Sequence, residues 1–223
     1  MSTSSRPRGR PKNHELTTRR RAEILDAAGR LFAEHGFPSL DVQVVADELG
    51  VGKGTVYRYF ASKRELFLAA VDRGMRLLQE EVDAAAPDTL DPLDQVTRAI
   101  SAYLAYFDTH VEFVELIIQE RAEFKDRTKP TYFVHRDANM GRWRTLFDRL
   151  IAARQLRTIS TDRILDVISD VLYGTIFTNH FAGRRKCLEA QAEDILDIVF
   201  HGILGDRGRA KPDSDSLPTE QKP

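Results

Sequence analysis

The chain has 223 residues, a length that fits one large domain or two small ones. With 42% hydrophobic and 30% charged residues, general disorder is excluded and a packed core with an ordinary solvated surface is expected. The formal net charge of -1 hides an asymmetry: residues 1–64 carry 12 Lys and Arg against 7 Asp and Glu, and the remainder carries 21 against 27. A basic N-terminal part suits a polyanionic partner such as DNA. The one cysteine, Cys187, cannot form an intrachain disulfide, and the N-terminus is Arg-rich where a secretory signal needs apolar residues, so a reducing, cytoplasmic setting is expected. No apolar run approaches the ~18–20 residues of a membrane span, and no membrane partner is expected.

In chain order, Arg6-Pro7-Arg8-Gly9-Arg10-Pro11-Lys12 is too broken by Pro and Gly for a helix, so residues 1–16 read as a disordered basic arm. Helical periodicity starts at Thr17 or Thr18, with Ile24, Ala27, Ala28, Leu31 and Phe32 on one face and Gly36 as the stop. Asp41 is placed to cap a short helix from Val42 to Leu49, and a turn through Gly50, Val51 and Gly52 leads to a second short helix, Lys53 to Tyr59. Ser62 and Glu65 have capping-box spacing and open a long helix bearing Leu66, Phe67, Ala70, Val71 and Leu78. Beyond Pro87 the pattern stays helical, with segments opening near Pro92, Val111, Pro130, Asp162 and Ala190 and stops at Gly183 and Gly205. The expected fold is all-α: a three-helix domain at 17–62, joined by a long helix to a helical bundle at 63–204, with a disordered tail at 205–223.

The pair Val42–Tyr59 has the anatomy of a helix-turn-helix, two short helices around a tight glycine turn. The run Gly50-Val51-Gly52-Lys53-Gly54-Thr55-Val56-Tyr57-Arg58-Tyr59-Phe60, followed by Ser62-Lys63 and Leu66, resembles the DNA-binding signature of the tetracycline-repressor-like (TetR) family of bacterial transcriptional regulators. The Ala-rich face of the first helix, Gly36-Phe37 and Val45-Ala46 extend the resemblance over about residues 18–70. It implies double-stranded DNA as partner, a homodimer, and a C-terminal part that binds a small-molecule effector. By position it implies DNA contacts from Gln43, Lys53, Gly54, Thr55, Tyr57, Arg58 and Lys63. Gly54 lets the recognition helix come close to phosphates, and Thr55, Lys53 and Arg58 supply hydrogen bonds to phosphate or base edges. Lys63 adds an ammonium to a helix N-terminus. Tyr59 and Phe60 are expected to pack inward. Two departures stand out: Gly52 replaces the family's usual Ser or Thr, weakening the cap of the recognition helix, and Leu49 replaces a small residue. In the arm, Pro7-Arg8-Gly9-Arg10-Pro11 looks like an AT-hook core, in which Arg8 and Arg10 would enter a narrow minor groove.

The other constellations point away from chemistry. Lys53-Gly54-Thr55 is in the wrong order for a phosphate loop and follows no strand. The six histidines are dispersed, without the pairing of a zinc site, so no metal and no cofactor are expected. No Ser, His and Asp set declares itself, and an enzyme is not expected. Six aromatics, Tyr103, Phe107, Trp143, Phe147, Tyr173 and Phe177, lie on the apolar faces of three helices and form the expected lining of an effector pocket for a flat or hydrophobic molecule. The resulting expectation is a repressor released from a near-palindromic operator by a hydrophobic or amphipathic effector; the alternative is a constitutive DNA-binding protein with no cavity.

Overall fold

A computed structural model of the chain describes residues 11–183 and 187–202. Among these residues there are nine helices and no strand: α1 (Pro11–His35), α2 (Val42–Glu48), α3 (Lys53–Tyr59), α4 (Lys63–Ala85), α5 (Pro92–Thr109), α6 (Val111–Glu123), α7 (Thr131–Ala152), α8 (Thr161–Ala182) and α9 (Leu188–His201). The all-α architecture agrees with the sequence reading, and most boundaries follow from the capping residues. Asp41 accepts from the Gln43 N–H at 2.7 Å, and Asp91 accepts from the Leu93 N–H at 2.9 Å beside Pro92. Ser62 accepts from the Glu65 N–H at 3.1 Å, while the Glu65 carboxylate reaches back to the Ala61 N–H at 2.8 Å. Gly36 and Gly50 stop α1 and α2 with φ of 79° and 63°, left-handed values that a side chain resists. Gly52, as expected, caps α3 without a side-chain hydrogen bond.

The start of α1 corrects the sequence reading. The helix begins at Pro11, six residues before the expected Thr17, because a proline at the first helical position brings a preset φ and loses no N–H that the helix would have used. The Arg8-Gly9-Arg10 element and the tail at 205–223 lie outside the described residues.

α1, α2 and α3 form a small head around Ile24, Ala28, Phe32, Val45, Val56 and Phe60, all essentially without solvent exposure. α4 starts in this head, packs along α1, and continues into the body, where it lies against α5, α6 and α7. Its Gly74 marks the tightest crossing, since a Cβ there would sit 2.3 Å from the Phe113 ring of α6. α5 packs on α9, and the Asp108 carboxylate at the end of α5 caps α9 by accepting from the N–H groups of Leu188 at 2.9 Å and Glu189 at 3.0 Å. No helix among the described residues is long and apolar enough to cross a membrane.

Candidate nucleic-acid interface and effector cavity

The polar positions of the helix-turn-helix are exposed or half-buried. Gln43 of α2 is exposed and donates to Asp47 at 2.6 Å, one turn along its own helix. Lys53, at the first turn of α3, donates to the Asp41 carboxylate at 2.6 Å, so the N-cap of α2 and the start of α3 are tied by an exposed ion pair. That contact, with the Gln43 N–H, holds the Asp41 carboxyl below its ordinary range and raises the Lys53 ammonium. On the next turn Tyr57 is 40% exposed and Arg58 projects to solvent, its guanidinium 5.5 Å from the Tyr59 ring. Thr55 is half-buried, with its N–H donating to the Gly52 carbonyl at 2.7 Å. Val56 and Phe60 are buried, and Tyr59 packs partly inward, so the two tyrosines take the different sides expected of them. A Cβ on Gly54 would meet nothing within 4 Å. Nothing among the described residues requires glycine there, and the space is open to an approaching surface.

Lys63 sits at the junction of head and body. Its ammonium donates to the Pro38 carbonyl at 3.1 Å and lies 4.9 Å from the Phe37 ring, and partial burial lowers its pKa from the ordinary lysine value. The expected DNA-contacting residues between Gln43 and Lys63 thus occur on α2, α3 and the start of α4, while Arg8 and Arg10 lie outside the described residues.

The body holds a cavity of about 140 Å³ walled by α4, α5, α7 and α8. Met75, Leu78, Val82, Ile100, Leu165 and Leu172 give it an apolar surface, with Gln79, Asn139 and Ser169 as polar points and Arg136 as a charged one. Of the six expected aromatics, Tyr103, Trp143 and Phe147 line it and the other three do not. Phe107 is 1% exposed and spent on packing against Tyr106 and Phe113, as core aromatics commonly are. Tyr173 and Phe177 pair with each other at 4.4 Å between centroids, and Tyr173 borders a second cavity, whose wall includes Tyr132 and Phe133. The expected grouping of all six around one cavity is therefore corrected. Tyr132, which sequence reading passed over, lines both cavities, and its hydroxyl lies 2.7 Å from that of Tyr103. Burial keeps both phenols neutral, raising Tyr103 well above its ordinary value and Tyr132 to about 12.

Two neighbouring buried residues of α6 were also missed, and they face opposite ways. The Gln119 side-chain amide accepts from the Phe37 N–H at 2.9 Å and donates to the Phe32 carbonyl at 3.0 Å, clamping the end of α1 in the head. The Glu120 carboxylate, 1% exposed, accepts from the Thr131 N–H at 2.9 Å and hydroxyl at 2.8 Å and pairs with Arg127 at 3.2 Å. It thereby holds the start of α7, a wall of the cavity. Sequence reading had expected α4 alone to connect the head with the body; α6 is a second connection. Asn179 and His180 serve packing: Asn179 donates to Gln191 at 3.1 Å, and His180 lies 3.4 Å from Glu115.

A glycine-turned pair of short helices on a head, continued by one long helix into a cavity-bearing helical body, defines the class of helix-turn-helix regulators. The comparisons give the family. The model for bacterial regulatory proteins of the tetR family matches residues 24–70. An uncharacterized HTH-type transcriptional regulator of Mycobacterium bovis, Mb1581, is 32% identical over 195 residues, covering 86% of this chain and 91% of the relative. The uncharacterized regulator YhgD of Bacillus subtilis is 34% identical over 104 residues, 47% of this chain and 54% of its own length, so the match spans about half of that relative. The crystal structure of the transcriptional regulator FadR from Bacillus subtilis, solved in complex with stearoyl-CoA, superposes with a TM-score of 0.71 at 16% identity, covering 82% of this chain and 99% of that one. The chain belongs to the TetR family of transcriptional regulators.

Proposed function

We propose that this TetR-family chain is a cytoplasmic, homodimeric repressor that binds a near-palindromic operator through α2 and α3 and is released by a hydrophobic or amphipathic effector bound in the body. The observation that carries the reading is that one helix, α4, begins beside the DNA-facing cluster at Lys63 and forms a wall of the apolar cavity at Met75, Leu78 and Val82. A ligand that favours one position of α4 biases the separation of two recognition helices, and only such a differential affinity can release DNA. Gly54, Tyr57 and Arg58, with the half-buried Thr55 beside them, would meet phosphate and base edges, with Gln43, Lys53 and Lys63 as backbone contacts. The proposed arm at 1–16, with Arg8 and Arg10, would add minor-groove contacts on A·T-rich flanks.

Dimerisation is supported by an apolar stripe on the outer helices: Val167, Val171 and Phe181 of α8 and Ile198 of α9 are 58%, 37%, 71% and 54% exposed. Such a stripe asks for a covering surface, and a two-fold copy of itself provides one. FadR, which shares the fold, was solved with stearoyl-CoA, which supports an apolar effector for this body. The cavity favours the ligand-responsive reading over a constitutive binder. The test is selection of duplexes from a random library by the purified protein, followed by sedimentation of the complex. Recovery of two half-sites about one helical turn apart and a dimer on each duplex is expected; an unenriched pool, or a monomer on a single half-site, contradicts it.

A further inference from the structure

The second cavity, of about 370 Å³, lies behind Tyr132 and carries more positive charge than the first, whose wall holds Arg136, paired with Asp137 at 3.0 Å. Its wall includes Arg121, Lys125 and Arg127, the aromatic rings of Phe133 and Tyr173, and, among the described residues, no carboxylate. The three cations are not equivalent. Arg127 is committed to the buried Glu120 at 3.2 Å. Arg121, in the last turn of α6, and Lys125, just beyond it, are exposed and take part in no ion pair or hydrogen bond among the described residues. Two unneutralised charges beside aromatic rings, one shared wall away from a mainly apolar cavity, form an arrangement suited to an amphiphile with an anionic head.

The magnitudes narrow the chemistry. An engineered apolar cavity of about 150 Å³ holds benzene, so the first cavity, about 140 Å³, takes a body of roughly six to eight carbons. Two free cations balance about two negative charges, which a phosphate ester carries near neutral pH and a carboxylate does not. The guanidinium of Arg121 also offers the fork geometry that suits phosphate oxygens.

We propose that the two cavities form one site for a short organic phosphate, its apolar body among Met75, Leu78, Ile100 and Trp143 and its phosphate against Arg121 and Lys125, with Tyr132 turning aside to let the molecule span them. This deepens the ligand-responsive reading and rests on it. The turn exchanges the hydroxyl contact between Tyr132 and Tyr103 for contact with the ligand. Chain length is limited by the first cavity, so affinity stops rising once the body fills it.

Trp143 is the one tryptophan of the chain and lines the first cavity, which makes its fluorescence the direct reporter. The full-length protein is titrated with hexyl, octyl and decyl phosphate, with 1-hexanol, and with inorganic phosphate, and the titrations are repeated on the double variant R121Q/K125Q. Hexyl phosphate is expected to bind at least roughly tenfold more tightly than hexanol, and the double variant to lose about that factor for the phosphate ester alone, since each exposed charge-assisted contact contributes modestly. Unchanged hexanol binding shows that the variant is folded. Decyl phosphate is expected to bind no more tightly than octyl phosphate. Equal affinity for hexanol and hexyl phosphate, equal losses for both in the variant, or continued tightening at decyl overturns the phosphate site while leaving an apolar effector cavity intact. Failure of every amphiphile and of hexanol to perturb Trp143 overturns both this proposal and the ligand-responsive reading beneath it.

Discussion

Replacing Gln119 by Leu removes the clamp between α6 and the head while keeping a buried side chain of similar length. In the structure the amide serves two backbone groups: it accepts from the Phe37 N–H at 2.9 Å and donates to the Phe32 carbonyl at 3.0 Å. The two losses are unequal. The Phe32 carbonyl keeps the Gly36 N–H as a partner at 2.9 Å, so it forfeits only an ordinary hydrogen bond, about 0.5–1.5 kcal/mol. The Phe37 N–H has no second partner among the described residues and is left unsatisfied, at about 1–3 kcal/mol. Together the substitution should cost about 1.5–4.5 kcal/mol, read from urea unfolding by linear extrapolation with the slope unchanged. Because Gln119 lies beside Glu120, which holds α7, the variant should also weaken the effect of a bound ligand on DNA affinity. A stability within about 0.5 kcal/mol of the parent would refute the claim that this amide joins head and body.

Lys63→Ala should remove one phosphate contact and flatten the slope of log affinity against log salt by about 0.9; an unchanged slope and affinity would take Lys63 out of the DNA face. Ala99→Leu, on the cavity wall, fills part of the 140 Å³ space and should abolish ligand-induced changes in Trp143 fluorescence while leaving DNA affinity within about twofold. Persistent ligand binding would place the effector elsewhere. For the buried phenols, folding raises the pKa of Tyr103 and Tyr132, so the contribution of each to stability is complete below the unfolded value near pH 10 and is lost as pH rises above it, through about 12 for Tyr132. Alkaline titration at 295 nm should show these two ionising together with loss of structure, and Tyr132→Phe should move that transition; ionisation near pH 10 in the folded protein would contradict their burial.

Much of the fold was legible because helix ends are local. Asp41, Ser62, Pro92, Gly36, Gly50 and Gly183 act through their own backbone or a neighbour within a turn, and each sits where the sequence placed it. Pro11 was misread because proline breaks a helix interior but opens a first turn, and the sequence alone did not show on which side of it the helix lies. The cavity was legible only in part. An apolar stripe says which face of a helix turns inward, not which partner meets it, so Phe107 on the same face as Tyr103 went to the core instead of the cavity. Gln119 and Glu120 gave no local signal, since their partners are 82 and 11 residues away for the Phe37 and Thr131 N–H groups.

The central claim, that one chain binds DNA through the face of α3 and releases it when the body is occupied, is tested most directly by fluorescence anisotropy on a duplex selected by the protein itself. Affinity is measured for the parent and for the Tyr57→Ala/Arg58→Ala double variant, each with and without octyl phosphate. Both substituted residues are exposed, so the variant should fold normally, judged by its unfolding midpoint. The account predicts that the variant loses at least about tenfold in DNA affinity, and that octyl phosphate weakens DNA binding of the parent by a factor of about 5–150, the usual range of coupling between two sites. Full DNA affinity in the double variant would contradict the DNA-binding face. An affinity unmoved by saturating octyl phosphate, with Trp143 reporting that the cavity is filled, would contradict the release.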